Sequence, residues 1–94
     1  MGFMKKRLEC QVFGRVQLVM FRDFVQRKAR ARSLLGTVKN NPDGSVSVVA
    51  EGDEVKLSEL RALIHRGPIL ARVDRVEETW IDYLGNLKSF DILY

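Results

Sequence analysis

The centre of the chain, residues 36–51, reads GTVKNNPDGSVSVVAE. Val46, Val48 and Ala50 fall on one face of residues 45–51, with the period of a half-buried strand. The sequence NPDG at 41–44 precedes that strand; its proline fixes φ, and Asp-Gly tolerates the left-handed positions of a tight reversal. Residues 37–40 form a short strand before the turn. The stretch therefore predicts a β-hairpin.

The segment before the hairpin predicts a strand and then a helix. Leu8, Cys10 and Val12 alternate with polar side chains across residues 7–13, as in a half-buried strand. Residues 14–19 break the pattern and form a loop. Apolar side chains at 21, 24, 25 and 29 then share one face of a helix that we place at 21–33.

The segment after the hairpin repeats this order with a helix and then strands. Asp53 is a suitable N-cap, leucine or isoleucine occupies positions 57, 60, 63 and 64, and Gly67 with Pro68 ends the helix. A longer strand follows at 73–81 and a turn at 83–86. Residues 88–94 alternate as a last strand.

The order of elements is strand, helix, strand, strand, helix, strand, with an additional C-terminal strand. It predicts an α+β fold, the ferredoxin-like βαββαβ sandwich, with two helices on one face of an antiparallel sheet. Ninety-four residues suit one domain. We therefore expect a single domain over 1–94, with a flexible N-terminus at 1–6.

Composition and charge exclude several classes of protein and favour anionic partners. The net charge of +4 favours anionic partners. No apolar run approaches the roughly 18 residues of a membrane span, and no secretory stretch follows the basic start, so we expect no membrane and a cytoplasmic location. The single cysteine, Cys10, excludes an intrachain disulfide and a Cys-rich zinc site. We expect Cys10 in the core.

The loop between the first strand and the first helix is one candidate site. N–H groups at a helix start have no carbonyl partner in the helix, and together with the helix dipole they can hold an anion. Arg22 stands at that start, and a guanidinium can bind two phosphate oxygens at once. A plain loop with a solvated arginine is the alternative.

Asn40, at the end of the strand before the turn, is the second candidate. Its carboxamide can both donate a hydrogen bond to a water molecule and accept one from it. A turn asparagine that caps its own backbone is the alternative.

Both stretches resemble the two signatures of the acylphosphatase family. Residues 12–22, VFGRVQLVMFR, match hydrophobic-x-Gly-x-Val-Gln-Gly-Val-x-Phe-Arg except at Leu18, where the family has glycine. Residues 36–52 match Gly-aromatic-Val-basic-Asn, three residues, Gly-x-Val, five residues, Gly, except at Thr37, where the family usually has tryptophan. The chain end, FDILY at 90–94, resembles the family's terminal strand.

The resemblance implies a role for each matched residue. Arg22 would bind the phosphate, and Asn40 would position the attacking water. The phosphoryl group would be held by the backbone N–H groups of the loop, namely those of Arg15, Val16, Gln17, Leu18, Val19, Met20 and Phe21. The implied reaction is direct in-line hydrolysis of a small acyl phosphate, without metal, cofactor or phosphoenzyme. A monomer is our default expectation for the oligomeric state.

Leu18 is the departure that bears on the chemistry. Glycine in an anion-binding loop often permits a positive φ or a close approach of the phosphate to the backbone. We expect leucine at this position to lower activity or to narrow the choice of substrate.

Two other functions are open on the sequence. A basic ferredoxin-like domain can bind RNA, but the aromatic strand motif of such domains is absent, so we expect no nucleic-acid partner. A degenerate relative could bind phosphate or carbamoyl phosphate without turnover, and Leu18 is the feature that favours it.

Overall fold

A computed structural model describes residues 4–94. Seven elements follow in the predicted order: β1 (Lys5–Arg15), α1 (Phe21–Arg30), β2 (Leu35–Asn40), β3 (Val46–Asp53), α2 (Glu54–Arg66), β4 (Arg72–Asp82) and β5 (Phe90–Leu93). Neither helix is long and apolar enough to cross a bilayer. The predicted α+β, ferredoxin-like fold is confirmed.

The strands lie in the order β4-β1-β3-β2-β5. β1 runs antiparallel to both β3 and β4, and the predicted hairpin pairs β2 with β3, with Asn40 opposite Val46 at the turn. β5 joins the far edge parallel to β2, which makes the five-stranded sheet mixed. This pairing sets Leu93 opposite Lys39 and so brings the end of the chain beside Asn40.

The core lies between the two helices and one face of the sheet. Leu8, Cys10 and Val12 of β1 are buried together with the apolar faces of α1 and α2. Each fully buried leucine, valine or phenylalanine stabilises the fold by about 1.5–3 kcal/mol. Burial also raises the pKa of the Cys10 thiol to about 12. Cys10 is therefore a small core residue, as its position in the first strand predicts.

The start of the chain is more ordered than the sequence suggested. We expected residues 1–6 to be flexible, but β1 begins at Lys5, which pairs with Asp53, and Lys6 pairs with Gly52 and Asp82. The strand extends because β3 pairs with both residues and β4 also pairs with Lys6. The alternation of residues 7–13 gives no indication of this pairing. Residues 1–3 lie outside the described part of the chain.

Glu51 is a buried carboxylate that ties the segment after β4 to the sheet. It is 1% exposed. Its Oε2 accepts hydrogen bonds from the N–H of Leu84 (2.9 Å) and from Arg7 Nη1 (3.3 Å), and its Oε1 accepts one from the N–H of Gly85 (3.1 Å). Burial on its own raises the pKa of this carboxyl. The two N–H groups and the guanidinium outweigh burial, so the pKa lies below its ordinary value.

We expect Glu51→Gln to lower the free energy of unfolding at pH 7 by about 1–3 kcal/mol, because two N–H groups and a guanidinium lose a charged acceptor. A depressed folded-state pKa gives stability that is present above the unfolded-state pKa and is lost as pH falls through the folded-state value. The difference between wild type and variant, measured by urea unfolding, should therefore shrink below about pH 4.

Glu9→Gln is the matched control for this prediction. Glu9 also binds Arg7, with 2.8 Å between Oε2 and Nε, but its side chain is 41% exposed. An exposed ion pair contributes about 0–1 kcal/mol. Equal losses of unfolding free energy in the two variants would mean that burial of the Glu51 carboxylate does not increase its contribution to stability.

Candidate active site

β1 ends in a bulge that turns the chain into the loop of residues 16–20. The register of β1 against β4 shifts between Phe13 and Gly14. Gly14 has a φ of 131°, and a Cβ atom there would lie 2.1 Å from the carbonyl oxygen of Arg72. Only glycine fits this position. The bulge therefore sets the direction in which the loop leaves the sheet toward α1.

The loop alternates in backbone handedness. Leu18 and Met20 have φ values of 62° and 65°, and Val19 between them is not in the positive region. Such alternation turns successive N–H groups toward one concave side, which is a known way to bind anions. Within residues 4–94, the N–H groups of residues 16–20 donate no hydrogen bond to another protein group. The loop thus offers several free donors at the start of α1.

The left-handed conformation at Leu18 is the one that glycine would adopt without strain. In a leucine it costs about 1–2 kcal/mol. The Leu18 side chain is exposed, so no packing of its own offsets that cost. The substitution of leucine for the family's glycine therefore strains the loop backbone but leaves its alternating conformation in place.

The side chain of Gln17 ties this loop to the β2–β3 turn. Its Nε2 donates hydrogen bonds to the carbonyl oxygens of Asn41 (2.8 Å) and Ser45 (2.9 Å). The turn is itself braced by Asn41 Nδ2, which donates to the hydroxyl groups of Ser45 (2.9 Å) and Ser47 (2.8 Å). The two segments singled out in the sequence are therefore joined as one unit.

Arg22 lies at the start of α1 and contacts the end of the chain. Its Nη1 donates a hydrogen bond to the Leu93 carbonyl oxygen (3.3 Å), and its Cζ lies 4.9 Å from the centre of the Tyr94 ring. Among the ion pairs of residues 4–94, none involves Arg22. Its charge is therefore available to an incoming anion.

Asn40 carries a buried acceptor without a partner. Its Oδ1 is the only buried side-chain nitrogen or oxygen atom, among the residues described, that makes no hydrogen bond. Leaving such an atom unpaired costs about 1–3 kcal/mol. An orphaned acceptor of this kind calls for an explanation, and a water molecule or a ligand that donates to it is the usual one.

One cavity of about 410 Å³ brings these groups together. Its walls come from the loop, the start of α1, the end of β2 and the last residues of the chain: Val16, Leu18, Met20, Phe21, Arg22, Asp23, Asn40, Ile92 and Tyr94. A volume of this size suits a small organic ligand. The space can therefore hold an anion against Arg22 and a further group beside it.

Most of the residues predicted for the site line this cavity, but three do not. Arg15, Gln17 and Val19 lie outside its walls. The contribution of Gln17 is instead its side-chain tether, which the sequence did not suggest. Three lining residues were not predicted for the site: Asp23, Ile92 and Tyr94. The alternation of the last strand had placed the latter two on one face. Among residues 4–94, no three His, Cys, Asp or Glu side chains cluster as metal ligands would.

Comparison with known proteins gives one consistent result. The acylphosphatase family model matches residues 8–92. An acylphosphatase of Caldanaerobacter subterraneus subsp. tengcongensis is 46% identical over 95% of this chain and 99% of its own, and one of Salinibacter ruber is 40% identical over 94% and 93%. The crystal structure of an acylphosphatase from Bacillus subtilis superposes with a TM-score of 0.91 at 37% identity, over 95% of this chain and 99% of its own.

Proposed function

The chain belongs to the acylphosphatase family, enzymes that hydrolyse acyl phosphates, and on that premise we propose which residues do the chemistry. The free N–H groups of residues 16–20 and the guanidinium of Arg22 hold the phosphoryl group. The carboxamide of Asn40 positions the attacking water. The observation that carries the proposal is that Arg22 and Asn40 line one cavity together with residues of the loop.

The loop and Arg22 supply charge stabilisation. The phosphoryl group carries negative charge on three oxygens in the transition state, and fixed donors aimed at those oxygens stabilise it without reorganisation. The free N–H groups of residues 16–20 and the unpaired charge of Arg22 are such donors. Gln17 keeps the loop at a fixed distance from Asn40 through the β2–β3 turn.

Asn40 supplies orientation. Its carboxamide belongs to a residue of the cavity wall and can exchange hydrogen bonds with a water molecule held there. The water oxygen forms a bond to phosphorus in line with the bond that breaks, and the carboxylate leaves with the electron pair of that bond. The products are a carboxylate, inorganic phosphate and a proton. Orientation of this kind is worth many orders of magnitude in rate.

The leaving group explains why this set of residues is sufficient. A carboxylate is a weak base, so it departs without a proton from a general acid. An alkoxide leaving group needs that proton, and general acid catalysis contributes about 10²–10⁴-fold. Among the described residues of the cavity wall, the one side-chain carboxyl group is that of Asp23, and it is bound to Arg27 at 2.8 Å. We therefore assign it no role in proton transfer.

The test is hydrolysis of acetyl phosphate and of an alkyl phosphate monoester, each with and without EDTA. We expect full turnover of acetyl phosphate in EDTA, and cleavage of the monoester at least about a hundredfold more slowly because no general acid serves its alkoxide. Loss of turnover in EDTA with recovery on addition of a divalent metal would contradict the metal-independent mechanism.

We also propose that the protein acts as a monomer in the cytoplasm on small acyl phosphates. All walls of the cavity come from one chain, so no second copy is needed to complete it. Cys10 is a free thiol, as is usual for proteins of the reducing cytoplasm. Sedimentation of the protein in the range of enzyme concentrations used for the assay tests the monomer.

A further inference from the structure

We propose that the wall of the cavity beyond Arg22 is a subsite for uncharged, apolar acyl groups, and that Leu18 is a specificity-determining residue. The inference rests on the proposed function, since it concerns the other half of the same substrate. It names the class of substrate: acyl phosphates with an alkyl or aryl chain, in preference to small polar or anionic ones.

Exposed apolar side chains surround the cavity. Leu18 is 99% exposed, Tyr94 98% and Met20 67%, and all three line the space together with Ile92. Single exposed apolar residues are common on protein surfaces, but a contiguous group of them around a cavity marks a binding site. Arg22 and the loop N–H groups account for the phosphate. The apolar wall is left for the acyl chain.

The backbone of Leu18 points to the same role. A left-handed conformation in a residue other than glycine, asparagine or aspartate is strained, and such strain collects at functional sites. Leu18 has a φ of 62° and its side chain makes no contribution to the core. Glycine or asparagine would relieve the strain, so the apolar side chain itself has a use at this position.

Charge around the cavity excludes a second anion. Among the described residues that line it, Arg22 is the only cation, and the proposed phosphate site uses that charge. The one acidic side chain among those residues, that of Asp23, is paired with Arg27 at 2.8 Å, so the wall offers no second cation to a carboxylate or a second phosphate on the acyl group. The wall therefore favours a neutral chain.

The first experiment measures kcat/KM for acetyl, butanoyl, hexanoyl and succinyl phosphate. The straight-chain leaving groups have nearly the same basicity, so differences among them report contact of the chain with the protein. We expect kcat/KM to rise about tenfold from acetyl to hexanoyl phosphate, a modest gain for apolar contacts, and to be lowest for succinyl phosphate. Equal kcat/KM values across the series, or the highest kcat/KM for succinyl phosphate, would overturn the inference.

The second experiment compares Leu18→Asn with Leu18→Gly. Asparagine tolerates the left-handed conformation and is close to leucine in size, so it removes the apolar contact while the backbone is kept. We expect the ratio of kcat/KM for hexanoyl over acetyl phosphate to fall at least about fivefold in both variants. Any change in phosphate binding acts on both substrates and cancels in the ratio. An unchanged ratio would overturn the role of Leu18.

Ile69→Asn is the matched control. Ile69 is also 99% exposed, but it lies between α2 and β4 and does not line the cavity. The ratio of kcat/KM for hexanoyl over acetyl phosphate should be the same in Ile69→Asn as in wild type. A fall as large as that in the Leu18 variants would mean that the effect is not specific to Leu18. Failure of the underlying mechanism is distinguishable, because it would show as full acetyl phosphate turnover in Arg22→Ala, whatever the chain-length series shows.

Discussion

Arg22→Ala is expected to lower kcat/KM for acetyl phosphate by about 10³-fold or more. An arginine that faces the transferred phosphoryl group is worth about 10³–10⁵ in kcat in other phosphoryl-transfer enzymes. Arg22 has no carboxylate partner among the described residues, and it is the one cation in the cavity wall. The variant should also bind inorganic phosphate more weakly as a competitive inhibitor, because part of the contact with the guanidinium is already made in the ground state.

Two controls make this prediction specific. Arg30 stands two turns along α1, and its Nε donates to the Phe90 carbonyl oxygen at 3.2 Å, much as Arg22 contacts that of Leu93. Arg30→Ala removes the same kind of tether to β5 without touching the cavity, so its kcat/KM should stay within a few-fold of wild type. Addition of guanidinium ion should restore part of the activity of Arg22→Ala. Wild-type activity in that variant would refute the mechanism.

Asn40→Ala is expected to lower kcat by about 10²-fold or more and to change phosphate inhibition much less. The reason is geometric: in the proposed mechanism the carboxamide holds the water and not the phosphate, and misplacement of a reacting group by about 1 Å costs about 10²-fold. Steady-state kinetics with acetyl phosphate and competitive inhibition by phosphate separate the two quantities. A variant that lost phosphate affinity and kept kcat would assign Asn40 to binding instead.

Asn41→Ala is the matched control, and we expect it to lose more stability but less activity than Asn40→Ala. Asn41 Nδ2 donates to two serine hydroxyl groups, so its loss should lower the free energy of unfolding by about 1–2 kcal/mol. Activity should fall much less than in Asn40→Ala. Asn40→Ala removes a buried acceptor that has no protein partner and should cost little stability. An equal stability loss in both variants would mean that Asn40 is a structural turn residue.

The elements with local signals were predicted well. The NPDG turn and the alternation after it placed the hairpin, and Asp53 does cap α2, where its Oδ1 accepts the N–H of Val55 at 3.0 Å. Gly67 ends that helix. The first helix was placed three residues too long: α1 ends at Arg30. Ser33 follows with a φ of 58°, in the left-handed region that often terminates a helix.

In the candidate site, too, the residues with a local sequence signal were predicted and the others were not. The motifs around Arg22 and Asn40 named both residues, because each is marked by its neighbours in the chain. Ile92 and Tyr94 were not placed in the site, since nothing near them indicates that β5 pairs with β2. The Gln17 side chain was missed because its two acceptors lie on another element, beyond a helix and a strand.

By itself, the sequence determined where the chain turns, which side chains face the core, and which arginine and asparagine stand at element ends. Those features follow from periodicity and turn chemistry, which act between near neighbours. Only the tertiary structure decided that the two segments meet in one cavity, that the chain end forms its wall, and that Leu18 lies exposed there in a left-handed conformation. Those facts depend on contacts between residues far apart in the chain, and the sequence of one segment does not show which distant residues it will contact.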